Sequence, residues 1–294
     1  MIKDNRYCLI CKPRNRTIYW HKDKETGEIW CFCNKCDRGY SLPQYCQMAD
    51  VNIEDFLKGD FYLEESRPNE VQAMIWPSSF IPLSDPRASS GVEYVKDRGL
   101  TLDGDMYYDI DEEGIVFPYY FENHYCGAQI RFLKTRTTAD GELWKVTTVP
   151  GTRLGLLFYG WNQGKFLANV KGIIVTEGAF NAISINQAFT DAYGSIASSP
   201  WRAIACSGSS VTEHHQTVLQ ELVGKGYKVI VAPDSDEAGL KMYHKFLKAK
   251  CSTHYAFTGE PKDWNDKIKE LGAREFARFF LSRIKTMNEE IGKR

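Results

Sequence analysis

The chain has 294 residues, of which 43% are hydrophobic and 26% are charged, a balance typical of a globular protein. It contains no apolar run of the length that crosses a bilayer, and its N-terminal residues lack the apolar stretch of a signal peptide. We therefore expect a cytoplasmic protein with no membrane partner. The net charge of −1 by itself gives no indication of a nucleic-acid partner.

Charge is distributed unevenly along the chain. Residues 1–40 carry nine Lys and Arg against five Asp and Glu, residues 51–114 carry five against fifteen, and residues 115–165 carry six against three. Two basic segments that flank an acidic one fit contacts with a nucleic-acid backbone. They fit solvated protein surfaces equally well, so charge alone does not decide between these interpretations.

Residues 1–45 are predicted to form a small metal-binding ribbon. The pairs Cys8-x-x-Cys11 and Cys33-x-x-Cys36 are separated by 21 residues. Two such pairs can complete a tetrahedral thiolate shell around Zn²⁺. In a reducing compartment, clustered cysteines bind metal more often than they form disulfides. Cys31 and His21 are alternative ligands. Strand-like stretches at 17–20 and 28–30 lie between the pairs.

The next segments are an acidic linker and a mixed α/β subdomain. The linker is predicted at 46–88 from its Pro and Ser clusters, with one short helix near 51–57. The subdomain, 89–165, begins with a helix that Gly99 terminates. Its predicted strands cover residues 114–118, 127–133 and 143–147.

Residues 166–260 alternate between apolar strands and amphipathic helices. Strands are predicted at 173–175, 203–206, 228–232 and 254–257, with helices at 179–188, 212–223 and 237–250. Continuous apolar strands between such helices indicate a parallel sheet that is covered on both faces. The C-terminal segment, 261–294, contains one further amphipathic helix, predicted at 273–287.

Two of these strands end in carboxylates. Glu177-Gly178 follows the first strand, and Asp234-Ser235-Asp236 follows the third. Functional groups of open α/β sheets gather at the carboxyl ends of the strands, and carboxylate oxygens suit Mg²⁺ or Mn²⁺. The alternative is that all three are helix-cap and turn residues that face water.

Here the sequence resembles the TOPRIM domain of primases, topoisomerases and some nucleases. The resemblance implies that Glu177, Asp234 and Asp236 hold catalytic Mg²⁺ or Mn²⁺. Further stretches are similar to TOPRIM-type (DnaG-like) primases: residues 203–212, the run from Asp236 to Lys241, and Lys262-Asp263-Trp264-Asn265-Asp266.

The resemblance to primases implies a domain architecture and further site residues. The fold class is α/β: an N-terminal zinc ribbon, then a primase core made of the basic subdomain and a Rossmann-like TOPRIM domain. Asp263 is implied to hold metal as well. The residues implied to contact the template or the nucleotide are Arg131, Lys145 and Lys241. The resemblance also favours Cys33 over Cys31 as a zinc ligand.

Ribbons of this kind are implied to read the start site on the template. The residues that could supply phosphate contacts and base stacking are Lys12, Arg14, Arg16, Trp20, Trp30 and Phe32. Aromatic residues in so small a domain also form its core, so stacking is assigned to no single one.

The sequence departs from the primase pattern at two positions. Asn181 stands four residues after Glu177, where primases carry Asp, and Asn265 stands where a second acid of the later motif is expected. Each Asn removes one charge. We therefore expect a weaker second metal position, or one held mainly by the nucleotide.

The leading hypothesis is a DNA primase that makes short RNA primers on single-stranded DNA from ribonucleoside triphosphates. No G-x-x-x-x-G-K-[ST] motif occurs, so no fused helicase is recognised and we expect a separate one as partner. The compact size is compatible with a phage or mobile-element protein. The alternatives are a TOPRIM nuclease and a nucleic-acid-binding replication protein with little catalysis.

Overall fold

A computed structural model describes most of the chain. The described residues are 8–10, 18–22, 26–33, 38–57, 64–65, 71–102, 105–137, 141, 143–161, 169–208, 211–260 and 263–287. They divide between two compact units: Met1–Glu70 with Arg136–Trp144, and Val71–Thr135 with Lys145–Arg294. Within the described residues, no helix combines the length and the apolar character needed to cross a membrane.

The first unit contains a four-stranded sheet with the order β3-β2-β1-β4. The elements are β1 (Ile18–Lys22), β2 (Ile29–Cys33), β3 (Arg38–Ser41), α1 (Leu42–Ala49), α2 (Ile53–Leu57) and β4 (Glu64–Glu65). Strands β1, β2 and β3 pair antiparallel, and β4 runs parallel to β1. Ser41 and Gln44 form a capping box that starts α1 directly after β3.

Aromatic side chains fill the core of the first unit. Trp20, Tyr45 and Phe56 are each at most 2% exposed, and their ring centroids lie 5.0–5.7 Å apart. The Tyr45 hydroxyl accepts a hydrogen bond from the Leu9 backbone N–H at 2.7 Å. This contact ties the first described residues to helix α1.

An antiparallel sheet of order β5-β6-β7-β8-β9 belongs to the second unit, except for the ends of β8 and β9 that fall within Arg136–Trp144. The elements are β5 (Phe80–Pro82), α3 (Ser89–Asp97), β6 (Tyr107–Asp109), β7 (Gly114–Phe121), β8 (His124–Thr137) and β9 (Leu143–Thr148). Along β7, Ile115, Phe117 and Tyr119 join the main core, whereas Val116 points into a smaller cluster on the opposite face. The two-residue period of a strand explains this alternation.

The rest of the second unit is a sheet of order β11-β10-β12-β13-β14. The strands are β10 (Gly172–Thr176), β11 (Trp201–Ala205), β12 (Lys228–Val231), β13 (His254–Tyr255) and β14 (Lys285–Thr286). The first four are parallel, and β14 is antiparallel to β13. The helices are α4 (Ala179–Tyr193), α5 (Glu213–Gly224), α6 (Glu237–Ala249), α7 (Trp264–Leu271) and α8 (Ala273–Arg283).

Helices cover this sheet on both faces. Ile174 and Ile230 pack into a core with α4, α7 and α8. Val175 and Val231 pack into a second core with α5 and α6. Every strand position in the centre of the sheet is therefore buried, and the continuous apolar runs follow from this arrangement. The predicted parallel α/β sheet is confirmed.

Several elements differ from the sequence-based prediction. The last helix was expected at 273–287, but α8 ends at Arg283 and Lys285–Thr286 form β14 against β13. Helix α7 was not predicted. The segment 46–88 is expected to be a linker with one short helix near 51–57. Helix α2 agrees with that expectation, but the segment also contains the end of α1, β4 and β5, and one unit boundary falls inside it at 70/71.

Candidate active site

Glu177 and Asp234 lie at the same edge of the parallel sheet. Glu177 directly follows β10, and Asp234 follows the neighbouring strand β12 after two residues. The two strands pair in parallel, so their carboxyl ends meet at one edge. The sheet topology thus places the Glu-Gly and D-x-D motifs side by side, as the sequence predicted.

Asp236 lies at the start of α6, where a tight turn brings the backbone close to Asp234. Asp236 is the N-cap of this helix, and its Oδ1 accepts from the Gly239 N–H at 2.8 Å. A Cβ at position 239 would lie 2.0 Å from the Asp234 carbonyl oxygen. Only glycine fits this turn.

Four carboxylates influence one another at this edge, which we call the carboxylate edge: Glu177, Asp234, Asp236 and Asp263. Burial and nearby charges raise the pKa of Asp234 to about 7. The charges, in decreasing order of effect, belong to Asp263, Glu177 and Asp236. Burial, and then the charge of Asp236, also raises the pKa of Glu177.

No cation in the described part of the chain compensates this negative charge. The salt bridges found there involve other residues on the protein surface and one buried lysine, Lys267, with Glu270. Excess negative charge of this kind suits a hard divalent cation. However, no group of three or more His, Cys, Asp or Glu side chains among the described residues converges closely enough to form a metal cage.

A network of amides, which we call the amide network, lies beside the carboxylate edge. It consists of Asn181 on α4, Asn265 on α7, Ser184 on α4 and Arg98 at the end of α3. Asn181 Nδ2 donates to Asp234 Oδ1 at 2.7 Å, and Asn181 Oδ1 accepts from the Asn265 backbone N–H at 3.2 Å. Asn265 Nδ2 donates to Ser184 Oγ at 2.8 Å and to the Arg98 carbonyl oxygen at 2.9 Å.

Arg98 was missed in the sequence analysis. Its guanidinium lies 4.3 Å from the ring centroid of Phe180 and 5.1 Å from that of Tyr94, and it donates to the Tyr94 hydroxyl at 3.1 Å. Burial raises the pKa of Tyr94, but the nearby guanidinium groups of Arg131 and Arg98 outweigh it and lower that pKa. Two arginines therefore act electrostatically on this hydroxyl, of which Arg98 forms the hydrogen bond. The signal for Arg98 was its i+4 spacing from Tyr94.

The other predicted contact residues lie apart from this cluster. Lys145 is exposed on β9. Lys241 is exposed on α6 and forms a salt bridge of 2.8 Å with Glu237. Neither has a described contact with the carboxylate edge, so their assignment stays a prediction from the sequence.

The loop after β11 is fixed against the carboxylate edge. The Gly208 N–H donates to the Glu177 carbonyl oxygen at 3.0 Å, and Tyr119 on β7 donates from its hydroxyl to Ser207 Oγ. Ser207 has a positive φ of 61°, which is uncommon for a residue other than glycine. Residues 209 and 210 of the predicted stretch lie outside the described residues.

In the first unit, the structure describes two of the four predicted zinc ligands. Cys8 and Cys33 are buried, and Cys11 and Cys36 lie outside the described residues. Cys31 and Cys46 are buried in the same core. Burial, then the thiols of Cys8 and Cys33, raise the pKa of Cys31 to about 12. Because Cys31 lies in the same buried core as Cys8 and Cys33, it remains a candidate ligand beside Cys33.

The aromatic candidates of the first unit differ in exposure. Trp20 is 2% exposed and belongs to the core, so it is not available to stack on a base. Trp30 is 44% exposed. The side chain of Phe32 and the residues Lys12, Arg14 and Arg16 lie outside what the structure describes.

Comparisons with known proteins agree with this geometry. Residues 174–268, which contain the whole carboxylate edge, match the sequence model of a family described as Toprim-like. The second unit therefore carries a Toprim-like domain. Over 70–71% of its length the chain has the fold of DnaG-type primase cores, and over 93% it is similar in fold to a primase structure that includes a zinc-binding domain. No curated protein sequence matches the chain.

The three structures are primase domains of low sequence identity. The RNA polymerase domain of Mycobacterium tuberculosis DnaG is 15% identical with a TM-score of 0.53, over 71% of this chain and 80% of that chain. The Aquifex aeolicus primase, with zinc-binding and RNA polymerase domains, is 17% identical with a TM-score of 0.50, over 93% and 80%. A DnaG catalytic domain bound to single-stranded DNA is 18% identical with a TM-score of 0.50, over 70% and 75%.

Proposed function

We propose that the chain is a DNA primase that synthesises short RNA primers on single-stranded DNA. The observation that carries this proposal is the carboxylate edge: Glu177, Asp234 and Asp263 are half-buried beside the exposed Asp236, without a described cationic partner, inside a Toprim-like domain. Crowded, partly buried acids of this kind lower stability, so their presence favours a functional role. The DnaG-type fold around it favours ribonucleotidyl transfer.

Glu177, Asp234 and Asp236 would hold Mg²⁺ or Mn²⁺, with Asp263 as a further ligand. Mg²⁺ binds through one or two carboxylates together with water and substrate phosphates rather than through an all-protein cage, so the donor chemistry fits although the described acids form no cage. When bound, the ion would offset the charge that develops on the phosphates.

The reaction joins two ribonucleotides. The 3′-oxygen of one forms a bond to the α-phosphorus of the next, the bond to pyrophosphate breaks, and the hydroxyl proton passes to solvent. Arg131, Lys145 and Lys241 would bind template and triphosphate oxygens. The contact of Arg98 with the Tyr94 hydroxyl, together with the charge that Arg131 exerts on the same group, supports adding Arg98 to this set.

The remaining parts of the proposal concern the first unit and the partners. We assign Cys8, Cys11, Cys33 and Cys36 to a structural Zn²⁺. The match to a primase that includes a zinc-binding domain supports this assignment. A template of single-stranded DNA is supported by the similar fold of a catalytic domain bound to it. We further propose that a separate helicase opens the duplex, inside the cell.

The test is incorporation of labelled ribonucleotides on varied single-stranded templates with Mg²⁺ or Mn²⁺. We expect short RNA products from the native protein and none from Asp234→Ala. No product on any template with either metal would contradict the proposal. Metal-dependent cleavage of DNA without incorporation would identify a nuclease instead, and tight binding without turnover would identify a non-catalytic replication protein.

A further inference from the structure

Asn181 is oriented by the backbone of α7. Its side chain is 6% exposed in the first turn of α4. The Asn265 N–H can only donate, so the atom that faces it at 3.2 Å must be the amide oxygen of Asn181. The amide NH₂ consequently faces Asp234, and the 2.7 Å contact with Asp234 Oδ1 is a true donor–acceptor pair.

Asn265 is itself held firmly. It is 1% exposed, and its Nδ2 donates to two acceptors, one on α4 and one at the end of α3. Arg98 NH1 approaches its Oδ1 at 3.5 Å. Because three helices fix Asn265, the backbone N–H that orients Asn181 has a defined position.

Asp234 and Asp236 are held in the same way, each through a single oxygen. Oδ1 of Asp236 accepts from the Gly239 N–H, and Oδ1 of Asp234 accepts from Asn181. Within the described residues, Asn181 is the one hydrogen-bond partner of the Asp234 carboxylate. Among the residues that the structure describes, neither Oδ2 has a hydrogen-bond partner, so each is available to a further ligand.

We propose that Asn181 is a positioning residue for the metal site: it fixes Asp234 through Oδ1 and presents Oδ2 to the divalent cation. This inference rests on the proposed function, which supplies the cation. A neutral amide suits this role because it orients the carboxylate and offsets part of the local repulsion without cancelling the negative charge. Groups that orient a metal ligand typically change metal affinity by about 10–100-fold.

The test is Mn²⁺ affinity, measured on the full chain by electron paramagnetic resonance of free Mn²⁺ and by calorimetry. Asn181→Ala should weaken Mn²⁺ binding by about 10–100-fold. The matched control is Asn186→Ala on the same helix, since Asn186 also forms two hydrogen bonds at 2.8 Å, but to the backbone of Ala203. This control should lower the melting temperature and leave Mn²⁺ affinity unchanged.

A second variant serves if Asn181→Ala does not fold. Asn181→Leu keeps the approximate size of the side chain but removes the donor to Asp234 without adding a charge. Mn²⁺ should raise its melting temperature by less than it raises that of the native protein. Equal Mn²⁺ shifts in the two proteins would contradict the positioning role.

Asp234→Ala separates the two proposals. If the native protein binds no Mn²⁺, or Asp234→Ala binds it as well as the native protein does, the metal site of the proposed function is wrong. If Asp234→Ala loses Mn²⁺ while Asn181→Ala binds it with native affinity, only the role of Asn181 is overturned.

Discussion

The carboxylate edge and the amide network lie next to each other, but their polar groups are in opposite situations. The amides are paired by hydrogen bonds, whereas the acids repel one another. In the amide network, both ends of each Asn side chain have described partners: Asn181 contacts Asp234 and the Asn265 N–H, and Asn265 contacts Ser184 on α4 and Arg98 at the end of α3. At the carboxylate edge, burial and mutual repulsion raise the pKa of Glu177 and of Asp234. Satisfied amides stabilise a fold, whereas crowded acids cost stability and are explained by what they bind.

The largest effect is expected from substituting Asp236, which has two roles: it caps α6 and belongs to the carboxylate edge. Asp236→Ala should lower primer synthesis by more than about 100-fold, since even groups behind a metal ligand change metal affinity by up to that factor. It should also cost about 0.5–2 kcal/mol of unfolding free energy, because the cap is lost. Both quantities are measured on purified protein, by incorporation assay and urea denaturation.

Asp236→Ser is the control for that experiment. Serine keeps the cap and removes the carboxylate, so stability should return towards the native value while primer synthesis stays low. Recovery of both stability and activity in Asp236→Ser would show that the cap alone matters and that Asp236 does not belong to a metal site.

The next largest effect is expected at the tight turn where the backbone of Gly239 approaches Asp234. Gly239→Ala places a Cβ 2.0 Å from the Asp234 carbonyl oxygen, and such overpacking should cost about 3 kcal/mol in urea denaturation. The matched control is Gly224→Ala in α5, where nothing lies within 4 Å. It should be neutral or stabilising by up to about 1 kcal/mol. If both substitutions lowered the free energy of unfolding equally, the close approach of position 239 to the Asp234 carbonyl oxygen would not be what requires glycine there.

A smaller effect tests the electrostatic cost of Asp234. Its pKa is raised from 3.8 to about 7 in the folded protein. The stability associated with its protonated form is therefore present below pH 3.8 and is lost as pH rises through about 7. Asp234→Asn, which keeps an acceptor for Asn181, should melt above the native protein at pH 8 by a larger margin than at pH 5. The same margin at both pH values would contradict this charge crowding.

The smallest effect concerns Lys241, which is exposed on α6. Removing its salt bridge with Glu237 in Lys241→Ala should leave the stability nearly unchanged, because solvent screens this exposed pair. If Lys241 binds a template phosphate, the slope of log affinity against log salt should fall by about one unit. An unchanged slope in template-binding titrations would remove Lys241 from the proposed contact set.

The carboxylate edge was predictable because its placement follows from local patterns. Apolar runs before Glu177 and Asp234 identify two strands, and parallel strands bring their ends to one edge. Topology then decides the position of both residues, without knowledge of side-chain packing.

The amide network could not be predicted in the same way. Its hydrogen bonds join positions 98, 181 and 265, which are distant in sequence and meet only when α3, α4 and α7 pack together. From sequence alone, Asn181 and Asn265 indicated only two missing charges. Strand β14 was missed for the same reason, since Lys285–Thr286 pair with β13 about thirty residues earlier.

The most direct test of the carboxylate edge as a metal-dependent active site is ribonucleotide incorporation by Glu177→Gln. Glutamine preserves the size of the side chain and removes its negative charge, which the charge of Asp236 repels. We expect RNA products from the native protein and none from Glu177→Gln, with equal template binding by both. Native-level synthesis by Glu177→Gln would show that the carboxylate edge is not a metal-dependent active site.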